Sequence, residues 1–299
     1  MKVKIKVPAT TANMGAGFDC LGAALSLYNT IIIESWHENK VVERGNQNIR
    51  FSENNMIYKS FKFLFDITQT PCPYIKIYQN SKIPVARGLG SSSACICAGL
   101  YAGNMFLNNK FSQQQLLNFA AQLEGHPDNI APAILGGFVI SLQEDDFVYY
   151  KKSNIKKNLK FATFVPSFHL KTESSRDILP KNYSKKDTVS NIASASFFTA
   201  SLFSGNYENL KIGTKDSIHQ PYRLPLIKNS DDIFDISYSL GAKAVYLSGA
   251  GSAIIALIDS DNKTFKTDAI EQMIKRKTEY FYLHILSGEN FGIKTEVLD

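Results

Sequence analysis

The sequence has no run of 18 or more apolar residues, whereas a bilayer-spanning helix needs about 20. No membrane segment is expected. The opening residues, MKVKIKV, alternate lysine with β-branched residues and lack the apolar stretch of a secretory signal. Only four cysteines occur, Cys20, Cys72, Cys95 and Cys97. They are too few for a disulfide scaffold and lack the C-x-x-C spacing of a zinc ribbon. Buried, reduced thiols in a cytoplasmic protein are the expectation. No G-x-x-x-x-G-K-[ST] string is present, which excludes a Walker loop. Gly88 and Gly90 are followed by serines, so the third glycine of a dinucleotide fingerprint is missing.

What remains is an ordinary globular composition. The 299 residues include 33 Lys+Arg and 27 Asp+Glu, a formal charge of +6, and 44% are hydrophobic. That length suits one large domain or two modest ones, with a core that needs no metal or disulfide staple. Excess positive charge suits nucleic acid or a phosphorylated small molecule. Much of it sits in Lys156-Lys157, Lys185-Lys186 and Lys275-Arg276-Lys277, which read as solvated faces. RRM, helix-turn-helix and zinc-finger signatures are absent, so no nucleic-acid partner is expected.

Val3, Ile5 and Val7 alternate with Lys2, Lys4 and Lys6, the period of a half-buried strand. Residues 8–22 are rich in small and turn-forming residues and read as a loop. Strands are expected at 30–35, 73–79, 138–142 and 159–165, and two more within 245–259, joined by a glycine turn. Helices are expected at 55–67, 91–107 and 113–123, the last N-capped by Ser112, and a short one before Gly136. In the second half they are expected at 173–179, 187–203, 206–217, 231–240 and 267–279, before a final strand. The polar stretch 151–158 is the linker candidate. The irregular alternation indicates an α+β chain of two domains, 1–155 and 156–299.

One string carries the chemistry: Pro84, Val85, Ala86, Arg87, Gly88, Leu89, Gly90, Ser91, Ser92, Ser93, Ala94. Gly88 and Gly90 let backbone approach a bulky anion. The three serines fall at a helix start, where unpaired N–H groups and the helix dipole favour phosphate. This is a phosphate cradle without a Walker lysine.

That string resembles the ATP-binding loop of the GHMP kinases. Two further family motifs occur in order: Pro8-Ala9-Thr10-Thr11-Ala12-Asn13-Met14-Gly15-Ala16-Gly17-Phe18-Asp19 and Leu247-Ser248-Gly249-Ala250-Gly251-Ser252. The first of these, with Glu124-Gly125-His126-Pro127-Asp128-Asn129-Ile130-Ala131-Pro132, resembles the homoserine kinase branch. Ser252 stands where the family often has proline. The resemblance spans nearly the whole chain. It implies a GHMP kinase fold: an N-terminal domain like domain 2 of ribosomal protein S5, then a ferredoxin-like domain. It also implies transfer of the γ-phosphoryl group of ATP to the side-chain hydroxyl of L-homoserine, in threonine biosynthesis, and is compatible with a homodimer. Another kinase of the superfamily, acting on mevalonate, and a non-enzymatic RNA-binding protein are the competing readings. The second leaves the serine loop, Glu124 and Asp19 unexplained.

The same resemblance implies roles. Mg²⁺ takes hard oxygen ligands, and Ser92 and Glu124 are placed to supply them. Asn13 and Asp19 suit the substrate's amino end and reacting hydroxyl. Arg176 and Arg223 each match a family motif and suit the carboxylate, since the guanidinium fork fits two oxygens. His126 is given a substrate contact, and Asn129 orients the hydroxyl; with Asn13 and Asp19 these form the catalytic group. Residues 84–94 hold the nucleotide, with Asn55 near adenine and Arg87 toward solvent or nucleotide.

Overall fold

The alternation of lysines and β-branched residues does build a strand, but a longer one than expected: β1 covers Lys2–Ala12. The computed structural model describes residues 1–43, 47–49, 51–168, 177–278 and 280–298. Residues 8–12 are strand rather than loop. Ala9, Thr10, Thr11 and Ala12 are fully buried, so both faces are covered and the polar half of the alternation disappears. β1 pairs antiparallel with β2 (Leu21–Ser35), from Lys2↔Glu34 to Ala12↔Gly22, with an irregularity between Pro8 and Ala9.

The first sheet continues through β5 (Ile75–Ser81), β3 (Lys40–Glu43) and β4 (Gln47–Ile49). A hairpin of β6 (Phe138–Glu144) and β7 (Phe147–Ser153) attaches to β2. Lys151, Lys152 and Ser153, expected within a linker, are therefore ladder residues of β7. On the other edge β12 (Lys294–Leu298) pairs antiparallel with β1. The expected final strand is thus two strands, β12 being preceded by β11 (Phe281–Ser287) in a different sheet.

That second sheet has the order β11, β8 (Leu159–Pro166), β10 (Ile254–Asp259), β9 (Ala244–Leu247), all antiparallel. The helices Ser230–Ser239 and Phe265–Lys275 lie between β8 and β9 and between β10 and β11 in the chain, the ferredoxin-like β-α-β-β-α-β arrangement. One face of this sheet packs Phe164, Leu247, Ile254 and Ala256 against Ile233, Ile236, Phe265 and Met273 of those helices. Its other face places Phe161, Tyr246 and Ile255 in the core of the first sheet, with Phe198 and Leu202 of the helix Lys185–Ser204.

Four helices of the first half position the site. In α1 (Met56–Ile67), Asn55 Oδ1 accepts the Tyr58 amide at 3.1 Å, an N-cap. α2 (Ser91–Phe106) is buried over Ala94, Cys97, Ala98 and Leu100, and Gly99 lies so close to Ile57 that a Cβ would meet its carbonyl oxygen at 2.3 Å. α3 (Gln113–Glu124) opens on a capping box of Ser112 and Gln115 and stops at Gly125, φ 91°. α4 (Ile130–Leu135) is wholly buried. The helix expected over 206–217 is helical only at Leu210–Gly213. It opens from Asn209 at φ 61° and closes where Gly213 abuts the Phe198 backbone. The helix expected near 173–179 falls mostly outside the described residues.

Candidate active site

Three loops converge on one cleft. In the serine loop, Ala86, Gly88 and Gly90 all have positive φ, a backbone curl that turns successive N–H groups inward for an anion. A Cβ on Gly88 would meet the Ser248 carbonyl oxygen at 2.0 Å, and one on Gly90 would meet Thr10 Oγ1 at 2.0 Å. Both positions therefore require glycine. Gly90 N-caps α2 with no side-chain hydrogen bond, which leaves the first-turn amides for a ligand.

The other two loops hold this one in place. Ser248 Oγ donates to Gly88 O at 2.6 Å and lies 2.9 Å from Thr11 Oγ1. The Ala253 amide donates to Arg87 O at 3.0 Å, the Gly249 amide to Ala12 O at 2.9 Å, and the Thr10 amide to Leu89 O at 3.2 Å. The Arg87 side chain is buried, and instead of meeting solvent it donates to Pro166 O and Ser167 O, each at 2.9 Å. Burial holds its pKa below the ordinary arginine value.

At the phosphate end, Ser92 Oγ donates to Glu124 Oε2 at 2.8 Å and Ser93 Oγ to Glu124 Oε1 at 2.9 Å. α3 ends at Glu124 just where α2 begins, so one carboxylate faces two hydroxyls. This all-oxygen set fits Mg²⁺. Cys95, one turn further along α2, also borders the cleft. Burial, and then the nearby Glu124, push its thiol up to about 11.

At the other end, Asn13 (φ 64°) and Asp19 (φ 55°) both adopt left-handed backbone, which asparagine and aspartate tolerate. Asn13 Oδ1 accepts the Asp19 amide at 2.8 Å. His126 Nδ1 bonds the buried Asp128 carboxylate. Ligand atoms of Asp19, His126 and Asp128 lie within 4.8 Å of one another. Two carboxylates and an imidazole suit an ammonium group, whereas Mg²⁺ prefers an oxygen-only set such as that at Glu124. Arg223 is 2% exposed, lies 5.2 Å from the Phe18 ring centroid and donates to Gly249 O at 3.3 Å. His219 is fully buried, and its Nε2 donates to Gly15 O at 2.8 Å. Burial lowers its pKa from the ordinary 6.5.

The cleft has a volume of about 1030 Å³ and brings together Asn13, Asp19, Val85–Ser93, Glu124, His126, Asn129 and Arg223. Three expected nucleotide residues stand apart from its lining. Asn55 spends its side chain on capping α1; Pro84 adjoins the cleft; Ala94 points into the core. Arg176 lies outside the described residues. Sequence reasoning left Asp128, Met56, Lys59 and Ser60 unassigned, although all line the cleft. Asp128 stands inside the string that runs from Glu124 to Pro132, which was its available signal. Thr10 and Ser248 were visible only as motif letters.

Comparison with known proteins matches residues 55–137 to the GHMP kinases N terminal domain and residues 198–275 to the GHMP kinases C terminal domain. A homoserine kinase of Caldicellulosiruptor bescii is 44% identical over 266 residues, covering 88% of this chain and 87% of that protein. One of Clostridium beijerinckii is 41% identical over 291 residues, 97% of each. Among solved structures, homoserine kinase from Cytophaga hutchinsonii superposes with a TM-score of 0.86 at 26% identity, over 99% of this chain and 97% of that one.

Proposed function

The chain belongs to the GHMP kinase family, and from that premise we propose that it catalyses ATP-dependent phosphorylation of L-homoserine, a step of threonine biosynthesis. The observation that carries this reading is the cleft itself. A serine-lined anion cradle closes one end, and an Asp19–His126–Asp128 cluster with Arg223 closes the other. The two ends match a nucleotide triphosphate and a zwitterionic amino alcohol.

The amides of residues 88–93 bind the phosphates, and the α2 dipole favours their charge. Ser92 and Glu124 would hold Mg²⁺, which neutralises triphosphate charge when bound. Asp19 and Asp128 take the ammonium. Arg223, with Arg176, takes the carboxylate. Asn13, His126 and Asn129 then orient the side-chain hydroxyl. Its oxygen forms a bond to the γ-phosphorus while the bond from that phosphorus to the bridging oxygen breaks. ADP leaves with the electron pair, and the hydroxyl proton passes late to water. A loose transition state asks mainly for alignment and charge neutralisation, so no side chain has to act as a dedicated base. We further place the domain division at 155/156, with β12 returning to the first sheet, and the protein in the cytoplasm. No helix among the described residues is long and apolar enough to cross a membrane.

Purified protein with MgATP is expected to release ADP on addition of homoserine and not of mevalonate. Turnover of mevalonate alone would overturn the substrate assignment. Glu124→Gln is expected to cut kcat by about 10²–10³, the scale of losing one charge-stabilising group. Full rate in that variant would remove Glu124 from the metal site.

A further inference from the structure

Between the cradle and the amino-acid end, Asn129 is joined to a buried residue with no role assigned so far, Thr10. Thr10, on β1, is fully buried, and its Oγ1 donates to Asn129 Oδ1 at 2.7 Å. The two residues are 119 apart in sequence. Asn129 stands at the N-terminus of α4 and lines the cleft. The pair sits directly under the phosphate loop: a Cβ on Gly90 would lie 2.0 Å from Thr10 Oγ1 and 3.2 Å from Asn129 Oδ1.

An asparagine amide has an acceptor end and a donor end that differ little in shape. Rotation by half a turn exchanges them, and packing alone scarcely discriminates. A hydroxyl can select the orientation when its one proton has a single acceptor to go to. Thr10 gives that proton to Oδ1, so the NH₂ end is left for the cleft. Asn129 lines the same cleft as the serine loop, Asp19 and His126, so a donor there would serve a γ-phosphate on the loop and a substrate hydroxyl at the other end. A donor suits that place, because negative charge spreads over the equatorial phosphoryl oxygens during transfer.

We propose that Thr10 is a positioning residue for phosphoryl transfer: it locks the Asn129 amide with its NH₂ toward the transferred group. The proposal rests on the reading of Asn129 given above. Thr10 touches neither substrate; its effect runs through Asn129. Valine has threonine's shape without the proton, so Thr10→Val removes the selection and keeps the packing. Thr10→Ser keeps the proton.

The test is steady-state kinetics of Thr10→Val, Thr10→Ser, Asn129→Ala and the double variant Thr10→Val/Asn129→Ala, each with the thermal midpoint and with ATP affinity measured by calorimetry. Thr10→Val is expected to lower kcat by about 10-fold to 100-fold, the scale of a misplaced catalytic contact, with KM for both substrates changed by less than about threefold. Thr10→Ser is expected to recover most of the rate. In the Asn129→Ala background the valine substitution should cost nothing further, because the two act as one unit. Unchanged kcat in Thr10→Val overturns the proposal, as does an equal loss in Thr10→Ser or an additive loss in the double variant. Should Thr10→Val fail to fold, Thr10→Ser and Asn129→Ala still decide it: serine must hold the rate while alanine loses it. Absence of homoserine turnover in the unmodified protein would instead count against the proposed function, independently of Thr10.

Discussion

His219 shows what a single side chain contributes to the site. Its Nε2 fixes Gly15 O, its ring lies 5.5 Å from that of Phe18, and its buried Nδ1 has no hydrogen-bond partner among the described residues. Burial disfavours the charged ring, so its folded pKa lies below the ordinary 6.5 despite the nearby Asp216 carboxylate. The unfolded chain then binds the proton more readily. The stability held by neutral His219 is present above about pH 6.5 and is lost as pH falls through the lowered folded value. The thermal midpoint is expected to drop as pH falls below about 6.5, and His219→Gln should flatten that dependence. A variant with the same pH profile as the unmodified protein would show that other groups set it. At this scale the sequence was legible where a residue type is demanded by chemistry, as at Glu124 and the serines. It was less so at Thr10 and Ser248, whose partners Asn129 and Thr11 lie far along the chain. Arg87 lines the cleft as expected of residues 84–94, but its side chain also braces carbonyls at the end of β8, which the sequence did not announce.

Among the elements, α2 and its preceding loop are the most constrained. Gly90 must combine φ 69° with contact to Thr10, so Gly90→Ala adds both a left-handed backbone cost of roughly 1–2 kcal/mol and a collision. ATP affinity in that variant is expected to fall at least about tenfold by calorimetry, a factor worth about 1.4 kcal/mol. Unaltered affinity would mean that the loop tolerates a different shape. α2 and α3 were legible because their starts carry local signals, the serines after Gly90 and the Ser112 N-cap. The second half of β1 was not, because burial on both faces removes the period that marks a strand. The helix expected over 206–217 is limited to Leu210–Gly213, which opens from Asn209 in left-handed backbone.

Across the whole molecule, two sheets share a core, and the last described strand returns to the first sheet. Lys4 and Glu296, an ion pair across β1 and β12, are 292 residues apart. No local pattern announces such a pairing, which is why a single closing strand was expected and two are present. Truncation before Lys294 is expected to lower the thermal midpoint by several degrees, since loss of about 1 kcal/mol moves a chain of this size by roughly 2–4 °C. The site residues remain, so kcat at low temperature should survive. A midpoint equal to that of the full chain would show β12 to be dispensable.

The β1–β12 pairing also governs how the chain must be made. Ribosomes release β1 long before β12 exists, so one flank of the nascent sheet stays open through most of translation. Its unpaired amides and carbonyls are a template for any neighbouring chain. The lysines at positions 2, 4 and 6 lie along that flank, where like charges on adjacent nascent chains repel until the proper partner arrives.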